Sequence, residues 1–324
     1  MPRIDYARHP AYGLMFDPDP ELGTQALAKL EPLIAEMERV EAERARRFGD
    51  RSGSGGESSS EVAAIASEGC CALQLKAKLL DPLLESTAPV IAAIRDRQAA
   101  ARAAGETIPF KLAQTPIGSR THPEIWDLAA RIVKHSGAGQ TTANYFGAGA
   151  KLKTAAVMVN PPDQVWAADV FRDPRIETPP TVGFHIDSSG SAILKAVLYL
   201  GDVGPDQGPF GMIPTSHRWE QAGPGRIRRR AFDRSPLVSR APAQRHAFLS
   251  LPLQLQVKAE FGGDMPPGAP ETLQLLARER VMTGPCGQLN LFDPEAIHRG
   301  GQTRAGERRV LLLSIAAADP EPLT

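Results

Sequence analysis

A run of short apolar segments after residue 150 constrains this chain more than any other feature. The segments 151–159, 181–187, 192–200, 208–213, 251–257, 287–292 and 309–315 are apolar or alternating, and each has the length of a strand. Turn residues such as Gly204-Pro205 and Gly284-Pro285 separate several of them. Helical segments do not alternate with them, which argues against a βαβ sheet and for an antiparallel sandwich or barrel. The 29 glycines and 29 prolines among 324 residues fit a chain that turns this often.

The first half reads differently. Residues 20–47 carry Leu27, Leu30, Ile34 and Met37 at helical spacing, and 51–60 then has no apolar residue. Residues 1–61 are therefore expected to be a helical extension ending in a flexible Gly/Ser-rich linker. Residues 62–324 are expected to form the β-rich domain. A strand is expected over 68–75 and a helix over 76–104, despite Pro82 and Pro89. Thr121 and Glu124 have capping-box spacing around Pro123, so a further helix should start there, with Leu128, Ile132 and Val133 inward.

The 37 basic and 37 acidic residues cancel, and 42% of the chain is apolar. Such a composition excludes a disordered chain and a uniformly basic nucleic-acid or membrane-binding surface. The cancellation is local as well as global. Residues 17–43 hold eight acids and two bases, whereas 218–245 hold eight arginines and two acids. Three cysteines, two of them adjacent (Cys70, Cys71), cannot build a disulfide framework. The start lacks the basic-then-apolar pattern of a secretion signal, and the longest apolar stretch, near 310–318, is half a membrane span. The expectation is a soluble cytoplasmic protein.

Seven histidines allow each to be weighed. Residues i and i+2 of a strand share a face, and about 0.8 His-x-acid pairs would arise by chance in this composition. Two occur. His122/Glu124 falls at the capping box and reads as structural. His185/Asp187 falls in a strand context, Phe184 and Ile186 taking the opposite face. An imidazole and a carboxylate inside a barrel call for a partner, and a divalent metal is an efficient one. His298 follows the strand 287–292 and the turn Asp293-Pro294 and would supply a third ligand. Two histidines and a carboxylate leave one side of a metal open, the facial triad of non-haem Fe(II) oxygenases. The open side accepts a 2-oxo acid and O₂, and an arginine beyond the last histidine can hold the acid's far carboxylate.

Several separated segments then resemble the phytanoyl-CoA dioxygenase family in order. They are Phe184 to Asp187, Lys195 to Val203, Gly208 to Phe210, Pro214 to His217, and Leu291-Phe292 with His298 to Gly301 and Arg308-Arg309. The likeness covers roughly 62–318. It implies a mainly β domain with flanking helices, a double-stranded β-helix (jelly-roll, cupin-like) barrel. It also implies a dioxygenase, an oxidoreductase using Fe(II), the cosubstrate 2-oxoglutarate and O₂, with His185, Asp187 and His298 as metal-binding ligands. Family spacing selects Arg309 for 2-oxoglutarate, with Arg308 as the alternative; adjacent strand residues face opposite sides, so one of the two points inward.

The family's Pro-Gly-Ser-His turn is Pro214-Thr-Ser-His217 here, and His217 reads as part of that turn. Asp187, where halogenases of this kind carry a small residue, disfavours halogenation. Lys151, Lys153 and Lys195 are further candidates for the cosubstrate. The cysteines read as small hydrophobes and the remaining histidines as surface or satisfied residues. The arginine-rich excursion at about 219–281 suits an anionic or carrier-linked small-molecule substrate, with no nucleic acid or membrane involved. The expected reaction is hydroxylation with release of succinate and CO₂. The alternative is a non-catalytic or hydrolytic metal-binding jelly roll.

Overall fold

The computed structural model describes residues 59–106, 108–109, 112–165, 192–218, 276–294 and 296–317, together with Ala35, Arg39 and Ala42 in helical conformation. The expected N-terminal helix and linker, the strands at 181–187 and 251–257, and the arginine-rich excursion lie outside these residues or almost wholly so.

Helix α1 (Ser60–Glu68) ends at Gly69, whose φ of 93° turns the chain directly into strand β1 (Cys70–Gln74). Helix α2 (Ala77–Ala103) follows and contains both Pro82 and Pro89. Its buried Leu80, Leu83, Ile91 and Ile94 supply the packing that outweighs two missing N–H donors. Short strands β2 (Ile108–Pro109) and β3 (Gln114–Ile117) lead to helix α3 (Pro123–His135). The inner face of α3 carries Leu128, Ile132 and Val133, as the periodicity requires. Its start differs from the expectation. The N-cap is His122, Thr121 Oγ1 accepts from Gly118 N, and Glu124 accepts from Ser86 Oγ at 2.9 Å. A tertiary partner on α2 has taken the carboxylate that a capping box would have used.

Helix α4 (Ala138–Phe146) precedes the long strand β4 (Ala150–Asn160), which Pro161 stops. Then come β5 (Gln164–Val165), β6 (Ile193–Tyr199), β7 (Phe210–Met212), β8 (Arg280–Met282), β9 (Gln288–Phe292), β10 (His298–Gly300) and β11 (Arg308–Ala317). The apolar runs at 151–159, 192–200, 208–213, 287–292 and 309–315 are all strands within a few residues of the expected bounds.

Six strands form one antiparallel sheet in the order β1-β9-β6-β11-β4-β3, and three form a second, β10-β7-β8. No sheet closes on itself among the described residues. Leu311, Leu313 and Ile315 of β11 pack with the helices on one face of the large sheet. Val310 and Leu312 point the other way, into a cluster with Met158, Val197, Tyr199 and Phe292 of the same sheet and Phe210 and Met212 of the small one. The molecule is thus layered as helices, large sheet and small sheet, and the interior between the sheets holds His298 and Arg308. No described helix is long and apolar enough to cross a membrane.

Candidate functional site

Strand parity decides which side chains reach the interior. Because Val310 and Leu312 face the small sheet, Arg308 must do so as well, and Arg309 must face the helices. Arg308 is 4% exposed and stands directly across from Asn160, the last residue of β4. Its Nε and Nη2 donate to Asn160 Oδ1 at 3.1 and 3.0 Å, and its Nη1 donates to the carbonyls of Gly208 and Gly301. The glycine before Gly301 makes the fit possible. A Cβ on Gly300 would lie 2.7 Å from Arg308 Nη2. Burial lowers the guanidinium pKa to about 10, partly opposed by the neighbouring Tyr199 hydroxyl, so the group stays cationic at neutral pH.

Arg309, selected by family spacing, stands on the helix side of the strand. Its side chain is 38% exposed, lies over Gly201, and sits 3.6 Å from Glu307, which pairs bidentately with Arg95 of α2. It borders a helix-side cleft of about 430 Å³ with Leu84, Ile91 and Cys286, on the far side of the sheet from Arg308. The physical reason is the one-residue alternation of a strand. Of the two arginines, Arg308 is the one that can act in the interior.

His298 opens β10 and is buried beside Phe292 and Phe210, with ring centroids 4.8 and 5.9 Å away. Its Nδ1 lies 2.8 Å from Ala296 O. A carbonyl only accepts, so Nδ1 carries the hydrogen and the neutral ring keeps its lone pair on Nε2. Metal-ligating imidazoles are commonly oriented in this way. The approach to His298 is braced on both sides. Asp293 is buried and accepts from Tyr145 Oη at 3.0 Å, while Ser216 Oγ accepts from Ile297 N at 2.8 Å.

His185 and Asp187 lie outside the described residues, as do His9 and His246. Among the described residues no group of three His, Cys, Asp or Glu side chains could hold a metal. His217 is buried in the short turn Ser216–Arg218, and its Nε2 donates to Ala66 O at 3.1 Å. Gly69 makes room for that ring, since a Cβ there would lie 2.8 Å from Nδ1. Thr215 has φ 67°, a left-handed conformation that suits glycine and strains a β-branched residue.

Lys151 and Lys153 are exposed, whereas Lys195 shares the inward face of β6 with Val197 and Tyr199. Burial pushes the Cys71 thiol up to about 12 and raises those of Cys70 and Cys286, so none is an activated nucleophile.

Two interior residues were not anticipated. Asn160 is legible only once β11 is paired with β4, because its importance comes from the residue opposite. Tyr199 is fully buried, donates to Met282 O at 2.5 Å and accepts from Phe210 N at 3.0 Å, tying the two sheets together. Nearby, Asn290 Oδ1 accepts from Gln288 Nε2 at 2.9 Å, and its buried Nδ2 has no hydrogen-bond partner among the described residues. The signal available for Tyr199 was its parity with Val197 on an apolar strand, which only says that its hydroxyl needs a buried partner.

No protein-family model and no curated protein matches the chain. Among solved structures, similarity is found to EctD from S. alaskensis with 2-oxoglutarate and 5-hydroxyectoine, at 18% identity and TM-score 0.48, over 81% of this chain and 76% of that one. The non-heme alpha-ketoglutarate-dependent carbocyclase SnoK from nogalamycin biosynthesis is similar at 16% identity and TM-score 0.45, over 81% and 85%. AviO1 from Streptomyces viridochromogenes Tue57 is similar at 15% identity and TM-score 0.45, over 82% and 97%.

Proposed function

We propose that this chain is an Fe(II)- and 2-oxoglutarate-dependent oxygenase on a double-stranded β-helix, oxidising a small molecule. The observation that carries the reading is the joint placement of His298 and Arg308. Ten residues apart in sequence, they lie on facing sheets with both side chains turned inward. One is an imidazole held in the tautomer a metal needs, and the other is a buried guanidinium suited to a carboxylate.

The donor set fits the metal. His185, Asp187 and His298 would hold iron, with nitrogen and oxygen ligands suited to Fe(II). Bound iron would supply O₂ activation coupled to oxidation of 2-oxoglutarate to succinate and CO₂, with hydroxylation of the substrate. The chain's own part is positional. Ala296 O orients His298, Arg308 takes the far carboxylate of 2-oxoglutarate, and Phe210, Phe292 and Met212 keep water from the space beside the imidazole.

The test loads the protein with Fe(II) and 2-oxoglutarate without oxygen, then admits O₂ and measures succinate. Succinate formation that needs both Fe(II) and O₂ supports the reading. Zinc retained in air, with no binding of 2-oxoglutarate, would favour a structural metal site instead.

A further inference from the structure

Among the described residues Asn160 is the side chain that hydrogen-bonds Arg308, and its chemistry is specific. It ends β4 directly opposite Arg308 in the β11 register, is fully buried, and accepts from both Nε and Nη2 through one oxygen. The other described acceptors of the guanidinium are the carbonyls of Gly208 and Gly301. All three are neutral. A carboxylate at position 160 would offer the same oxygen and nearly the same shape, and an Arg–carboxylate pair is one of the strongest available to a side chain. This chain places an amide there.

We infer that Asn160 is the positioning residue of the site: its neutral Oδ1 fixes the plane and depth of the Arg308 guanidinium without adding a negative charge beside it. A guanidinium fixed in this way is oriented for an incoming dicarboxylate before the ligand arrives, which lowers the ordering cost of binding. A carboxylate in the same place would orient it equally well but would repel that ligand. The residue acts through Arg308, and therefore on the distal carboxylate of a 2-oxo acid alone. The inference rests on the proposed oxygenase reading of this site.

The test compares two 2-oxo acids that share the chelating end and differ at the far end. The full-length Fe(II) protein is titrated without oxygen with 2-oxoglutarate and, separately, with pyruvate, which lacks the distal carboxylate. Asn160→Ala should weaken 2-oxoglutarate binding about tenfold, the effect of disturbing hydrogen bonds to one charged group. Asn160→Asp should weaken it at least as much, although it restores the acceptor oxygen. Pyruvate affinity should stay within about twofold of wild type in both, since no contact of Arg308 is involved.

Wild-type affinity for 2-oxoglutarate in Asn160→Asp would overturn the claim about charge, and in Asn160→Ala the claim about positioning. Parallel loss of both ligands would reduce Asn160 to a structural role. Failure of the wild-type protein to prefer 2-oxoglutarate over pyruvate would instead overturn the oxygenase reading itself.

Discussion

Gly300→Ala isolates the fit between the two sheets, because the substitution has opposite signs with and without it. Gly300 lies in β10 and is not among the positive-φ glycines, so alanine meets no backbone strain. Loss of glycine's extra freedom in the unfolded chain would by itself stabilise the protein by about 0.5–1 kcal/mol. The new methyl, however, lies 2.7 Å from Arg308 Nη2 and 3.3 Å from Nη1. Ordinary contact requires a retreat of about 0.7 Å. The guanidinium has little room to retreat, since Asn160 holds one edge at 3.0 and 3.1 Å and the glycine carbonyls hold the other nitrogen. A 0.7 Å displacement takes one of these bonds beyond hydrogen-bond range.

One bond to a charged group is worth about 1.5–3 kcal/mol, so after the backbone gain the net loss is about 1.5 kcal/mol. That is about a tenfold fall in the folding constant, or about 2 °C in Tm for a chain of 324 residues. Urea denaturation of wild type and variant measures it, and 2-oxoglutarate affinity should fall with it by about tenfold. A Gly300→Ala protein equal to or more stable than wild type would refute the packing argument, because the sign would then be that of the backbone term alone.

Arg308→Ala should lose about 2 kcal/mol, because the buried acceptors Asn160 Oδ1 and Gly208 O lose their donor, and should bind 2-oxoglutarate at least about 100-fold more weakly. Arg309→Ala, half exposed on the other face, should change stability by no more than about 0.5 kcal/mol and leave that affinity intact; the reverse pattern would contradict the strand parity. Thr215→Gly should raise unfolding stability by about 0.5–1 kcal/mol, the left-handed strain relieved less the added entropy of the unfolded chain, and a loss would show that the methyl or hydroxyl of Thr215 matters more than its φ. Thiol titration at pH 8 should find Cys70 and Cys71 unreactive in the native protein, since burial raises both above that pH, and all three cysteines reactive in denaturant; rapid native labelling of Cys71 would contradict its burial.

The sequence exposed the strands more readily than their partners. Alternation and apolar runs located β4, β6, β9 and β11 because those signals are local, and turn residues bounded them. The first turn of α3 went the other way, since the Glu124 carboxylate found Ser86 of α2, a contact between residues 38 apart. The arginine pair shows the same limit. Spacing from His298 counts residues along a loop, whereas the face of a strand depends on where pairing begins, and that is set by Asn160 across the ladder. The Gly300-Gly301 pair was visible as a motif without a cause; its cause is the guanidinium it accommodates, which belongs to another strand.

The central claim is that His298 and Arg308 face one space in which iron and 2-oxoglutarate bind together. Calorimetric titration of the oxygen-free protein with 2-oxoglutarate, with and without Fe(II), tests it most directly. One equivalent should bind per chain, tighter when Fe(II) is present, with the gain lost in His298→Ala and the binding itself lost in Arg308→Ala. Binding indifferent to Fe(II) and to Arg308, or no binding at all, would contradict it.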